Sequence, residues 1–172
     1  MDKPITLEEL LASRDNRHSM QMSLLKAHPD KTLVCLTVVM PGSIKRNELS
    51  LVVAHAAVEA LRKSFSPEEG ELTERDLETC YEAYLITSLA EMDAKERCCY
   101  IEDQHPLGRL FDIDVISHDG APLPRAAVGR APRKCLICDN EARYCMRNRT
   151  HTQEELHEHI NRLVADYVVR NT

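Results

Sequence analysis

The chain has 172 residues, 43% of them hydrophobic, and a formal net charge of −6. That length suits one domain or a domain with a small appendage. The acidic balance argues against general nucleic-acid binding, and no apolar run approaches the roughly 20 residues of a membrane span.

Thr6 and Glu9 have capping-box spacing and open a helical pattern over about residues 6–27. Leu7, Leu10, Leu11, Met20, Leu24 and Leu25 supply a candidate apolar side. Arg14, Arg17 and Gln21 recur at intervals of three and four and share another face, which reads most simply as solvated. Residues 32–40 are rich in β-branched and aliphatic side chains and predict a buried strand. The strand meets Pro41-Gly42-Ser43-Ile44-Lys45-Arg46, and a helix follows over 47–64. Strand, glycine turn, lysine and helix form a phosphate-binding order, although the spacing is not that of a Walker A loop.

Residues 66–73 contain Pro67 and Gly70 and read as a loop; 83–89 reads as a strand and 93–103 as a helix. The next run is His105-Pro106-Leu107-Gly108-Arg109-Leu110-Phe111-Asp112-Ile113-Asp114-Val115-Ile116. On a strand over 110–117, Asp112 and Asp114 share a face, about 7 Å apart along the chain, while Phe111, Ile113 and Val115 point the other way. Two like charges so placed call for a cation between them: a divalent metal, or a basic side chain. Gly108 permits close backbone approach, and Arg109 adds a fixed positive charge. His105 reads as a helix terminator before Pro106, and Glu102 as a helix-surface charge. A short return strand over 121–128 carries Arg125, and Thr152 with Glu155 caps a last helix over 152–170.

Between Arg125 and Arg149, seven cations meet only Asp139 and Glu141, so this stretch carries five net positive charges. A basic segment on an acidic chain suits a polyphosphate ligand or a solvated patch. Of the seven cysteines, Cys35, Cys80, Cys98 and Cys99 lie in apolar surroundings and read as small core residues. Cys135, Cys138, Cys145 and His151 have the spacing C-x2-C-x6-C-x5-H, which offers three thiols and an imidazole to zinc. The competing reading buries these cysteines without metal. The start, Met1-Asp2-Lys3-Pro4, shows no signal-peptide pattern, and a cytoplasmic protein is expected. These elements predict a single α+β domain over 1–172 with a mixed or mainly antiparallel sheet, and with 133–151 as its Cys/His subsegment.

Three segments together resemble the apo-citrate lyase phosphoribosyl-dephospho-CoA transferase (holo-citrate lyase synthase) family. They are the run 105–116, the Pro41-Gly42-x-x-Lys45 turn, and Arg133-x-Cys135-x-x-Cys138 with Cys145, Arg147 and His151. The N-terminal helix with Arg14, Arg17 and Gln21 also fits, while 71–89 departs most. The resemblance implies a nucleotidyltransferase-like fold and activity. The prosthetic-group precursor 2′-(5″-triphosphoribosyl)-3′-dephospho-CoA passes to a serine of the citrate lyase acyl carrier protein (gamma) subunit, with release of pyrophosphate. Asp112 and Asp114 are then expected to hold Mg²⁺ and, with Arg109, to form the catalytic group. Lys45, Arg46, Arg14, Arg125 and Arg147 are expected at the triphosphate. Two non-catalytic readings compete: a zinc-stabilised carrier-binding protein and a nucleotide-binding accessory protein.

Overall fold

The computed structural model describes residues 2–171. Strands β1 (Thr32–Val38), β2 (Gly70–Leu77), β3 (Cys80–Thr87) and β4 (Phe111–Ile116) form one sheet in the order β2-β3-β1-β4. All three pairings are antiparallel. β1 and β3 are buried along almost their whole length, which their β-branched and aromatic content favours. Helices α2 (Glu48–Ser64), α3 (Glu91–Gln104) and α5 (Gln153–Asn171) cover one face and enclose the main core of Leu36, Leu61, Ile101, Phe111, Ile113 and Ile160. Helix α1 (Leu7–Ala27) crosses the other face, where Leu25 packs with Leu33, Cys35, Tyr84 and Ile116. A short helix α4 (Ala142–Asn148) precedes α5. The α+β class and the antiparallel sheet are as expected. No helix among the described residues is long and apolar enough to cross a membrane.

Three local expectations are corrected. Residues 70–73, expected in a loop over 66–73, instead open the strand Gly70–Leu77. β2 is an edge strand with no fully buried residue, and its Glu-Leu-Thr-Glu-Arg-Asp sequence carries no apolar alternation. Residues 121–128 form no strand. One bridge joins Ile116 to Pro122, and a 3-10 turn spans Arg125–Val128. Pro122 and Pro124 lack the N–H groups a ladder needs.

The third correction concerns α1. Its buried residues are Ser13, Gln21 and Leu25, while Leu7 and Leu11 are exposed. The helix therefore turns Ser13, Arg17 and Gln21 toward the sheet. Of the stripe that reads as solvated, Gln21 is buried and Arg17 half-buried against the sheet, while Arg14 stays exposed. The reason lies in the sheet beneath it, which carries acids.

Candidate functional site

The face of the sheet under α1 is polar at one end. Antiparallel register places Asp114 opposite Cys35, which lies opposite Tyr84. In the next row Asp112 faces Thr37, and Thr37 faces Glu82, which pairs across to Arg75. Three carboxylates thus share one face. Asp112 and Asp114 are 47% and 40% exposed, whereas the Glu82 side chain is fully enclosed. Glu82 accepts from Arg17 Nε at 2.9 Å and from the Tyr84 hydroxyl at 2.7 Å, with Arg75 at 3.6 Å. Its charge is therefore committed, and the open acids are Asp112 and Asp114.

Each open acid has one cationic neighbour. Lys95 of α3, itself buried, brings Nζ to 3.6 Å from Asp114 Oδ1. Arg133 donates to Asp112 Oδ1 at 3.3 Å. Burial and then the neighbouring Asp112 carboxylate raise the pKa of Asp114 above the ordinary value; Lys95 and Arg133 oppose them. These groups supply the counter-charge that two acids on one strand demand. Two hard carboxylates open to one side are a donor set that could hold a divalent cation such as magnesium.

β4 is the other edge of the sheet, sealed by two side chains and one main-chain bond. Glu102 Oε1 accepts from the Ile113 N–H at 2.8 Å. Arg133 donates to the Phe111 carbonyl at 2.6 Å, and the Leu123 N–H reaches the Val115 carbonyl at 2.8 Å. Glu102 is thus a buried member of the wall rather than a surface charge. It also accepts from Arg125 at 2.7 Å. Gly108 is required by close approach: a Cβ there would lie 2.3 Å from the Glu102 carbonyl oxygen. His105 ends α3 and accepts the Leu107 N–H at Nδ1, packed on Phe111 and Tyr167. Burial lowers its pKa.

The structure divides the expected cations. Lys45 is half-buried and donates to the Met40 carbonyl at 2.6 Å. Burial and then the nearby Arg14 lower its pKa, partly offset by Cys80. Lys45, Arg14 and Arg17 therefore gather near the Cys80–Glu82 end of the polar face. Arg46 is held by Asp76 in a two-pronged pair at 2.8 and 2.7 Å. Arg125 is held by Glu102, Asp103 and the Ala131 carbonyl. Arg109 donates to the Cys135 carbonyl at 3.1 Å, and Arg147 is exposed on α4. Glu82, Lys95 and Arg17 were not expected at the site. The signal for Glu82 was a lone acid inside the apolar strand Cys-Tyr-Glu-Ala-Tyr-Leu-Ile; Lys95 gave none.

The second constellation closes. One ligand atom each from Cys135, Cys138, Cys145 and His151 lies within 4.8 Å of all the others. Cys138 Sγ is 3.5 Å from Cys145 Sγ and 3.4 Å from His151 Nε2. Tetrahedral zinc with ~2.3 Å Zn–S bonds sets sulfur atoms about 3.8 Å apart, so the donor set can hold a metal such as zinc. Burial alone would push the Cys135 thiol up, but N–H groups of Cys138 and Ile137 and the neighbouring thiols hold it at about 7. The other four cysteines are buried and free, as expected.

An antiparallel sheet with helices on both faces, and an open carboxylate pair answered by Lys95 and Arg133, define an α+β protein with a charged candidate site on one sheet face. A family model described as apo-citrate lyase phosphoribosyl-dephospho-CoA transferase matches residues 5–167, and the chain belongs to that family of transferases. A probable apo-citrate lyase phosphoribosyl-dephospho-CoA transferase of Streptococcus pyogenes serotype M18 is 35% identical over 167 residues, 95% of this chain and 87% of its own length. An apo-citrate lyase phosphoribosyl-dephospho-CoA transferase of Escherichia coli O1:K1 is 35% identical over 165 residues, 94% of this chain and 90% of its own.

Proposed function

We propose that this chain transfers the 2′-(5″-triphosphoribosyl)-3′-dephospho-CoA group to a serine of the citrate lyase acyl carrier subunit. The serine oxygen attacks the phosphorus next to the ribose. A phosphodiester forms, the bond to the outer two phosphates breaks, and pyrophosphate leaves. The nucleophile arrives on the partner, so the chain needs no reactive serine or cysteine of its own. The observation that carries this reading is the Asp112–Asp114 pair, open on one sheet face and answered by Lys95 and Arg133.

Asp112 and Asp114 would hold Mg²⁺, which, when bound, neutralises charge on the triphosphate and on the departing pyrophosphate. Asp114, on the same open face as Asp112, is the carboxylate placed to take the serine proton. Lys45 and Arg14 meet the outer phosphates from the far end of the polar face. Arg109, Arg46 and Arg125 are engaged by protein partners and act by holding the surrounding loops. Arg147, exposed on α4, is available to phosphate or to the carrier. Cys135, Cys138, Cys145 and His151 hold a structural zinc ion. The layout is compatible with a nucleotidyltransferase-like site. The four core cysteines, buried and unpaired, fit a cytoplasmic setting.

The test is pyrophosphate release by purified protein. Release is expected only when Mg²⁺, the precursor and the apo carrier are present together. Release without the carrier would make the chain a hydrolase, and none under any condition would favour a non-catalytic binding role.

A further inference from the structure

From Ser117 to His159 the only buried residues are Cys135 and Cys145. The stretch therefore has no apolar core of its own, and Leu136 is its main lean on the central core besides Leu123. α4 has seven residues, too few to be stable alone. A small segment of this kind needs a cross-link, and the two residues it buries are both members of the Cys/His cluster.

The cluster is wired to the Asp112–Asp114 face by main chain. Arg133 lies two residues before Cys135. The Cys135 N–H donates to Asn140 O at 2.7 Å, the Ala142 N–H donates to Arg133 O at 2.8 Å, and Lys134 bridges to Glu141. These contacts make a short hairpin whose turn holds Cys138 and whose exit enters α4 with Cys145. At the other end, the Arg133 guanidinium donates to the carbonyls of Gly108, Arg109 and Phe111 as well as to Asp112. Arg109 returns a bond to the Cys135 carbonyl.

We propose that zinc bound by Cys135, Cys138, Cys145 and His151 is the clasp that positions Arg133, and through it the start of β4 and Asp112. Metal occupancy at 135–151 then sets the competence of the carboxylate pair. The inference rests on the zinc and magnesium readings above. Arg133 is a positioning residue: three of its four bonds go to backbone carbonyls, so its release loosens the strand start more than it removes charge from Asp112.

The experiment uses the full chain, as isolated and after chelation under reducing conditions, with and without zinc restored. Three quantities are read: zinc content, hydrogen exchange of the Ile113 amide, and the Mg²⁺ concentration giving half-maximal transfer. One zinc per chain is expected. Chelation should raise Ile113 exchange at least tenfold and raise half-saturating Mg²⁺ about tenfold, and zinc should reverse both. Arg133→Gln should keep its zinc yet behave like the stripped protein, and Arg133→Lys should recover part of the loss. A merely structural loss would lower the maximal rate without moving half-saturating Mg²⁺. Absence of zinc overturns the proposal. So does a stripped protein with loosened 135–151 but unchanged Ile113 exchange and unchanged Mg²⁺ dependence. If the zinc-loaded chain transfers nothing while Ile113 exchange still follows zinc, the transferase reading fails and the clasp stands.

Discussion

Glu102 offers a direct check on how the β4 edge is held. Its carboxylate is 4% exposed and accepts from the Ile113 N–H at 2.8 Å and from Arg125 at 2.7 Å, with Arg133 at 3.8 Å. Glu102→Ala removes all three interactions at once. Breaking a buried ion pair from one side costs about 3–5 kcal/mol, and Arg125 falls at the low end because Asp103 still holds it. An edge N–H left buried without a partner adds about 1–3 kcal/mol. The sum, about 4–6 kcal/mol, is a large share of the stability of a typical domain, about 5–15 kcal/mol. Glu102→Gln keeps one amide oxygen for the Ile113 N–H but loses the second acceptor that Arg125 uses, so about 2 kcal/mol is expected. Urea unfolding of the three proteins reads these values. At about 2–4 °C per kcal/mol the Ala variant should melt at least about 8 °C lower. An Ala variant within about 1 kcal/mol of the parent would refute the claim that Glu102 seals the sheet edge.

Asp112→Asn and Asp114→Asn should each lower the transfer rate at least about 100-fold, near 2.7 kcal/mol of barrier, in a single-turnover assay. Asp114→Asn should also melt higher than the parent at neutral pH. Its folded pKa is raised, so the ionised form costs stability above that pKa, and the cost vanishes as pH falls below the unfolded value; a thermal-melt series against pH showing the Asn variant less stable at neutrality would contradict this. Gly108→Ala forces a methyl against the Glu102 backbone at 2.3 Å and should cost at least about 2 kcal/mol in urea unfolding.

The sequence shows part of this design plainly. The alternation Phe111-Asp112-Ile113-Asp114-Val115 places the apolar residues and the acids on opposite faces of β4, and the structure has that alternation in its burial. The Cys/His spacing likewise foretells a closed cluster. In α1 only Met20, Leu24 and Leu25 of the apolar side meet the sheet, and the packing of its middle turn is decided by Glu82 on a strand far away in sequence. β2 left no trace because an edge strand needs no apolar face, only a partner with free hydrogen-bonding groups. Lys95 and Glu102 look like surface charges on α3, and only the fold reveals that both are buried against β4. Periodicity reports which face is apolar; it does not report which charges will be enclosed with their partners.

The central claim is transfer to the carrier, and intact-mass measurement of the carrier subunit tests it most directly. After incubation with the chain, Mg²⁺ and the triphosphoribosyl precursor, the apo carrier should gain the mass of the phosphoribosyl-dephospho-CoA group on one serine. It should stay unmodified with the Asp112→Asn protein on the same time scale. An unmodified carrier in the presence of the parent protein would contradict the account, and full modification by the Asn variant would remove the carboxylate pair from the mechanism.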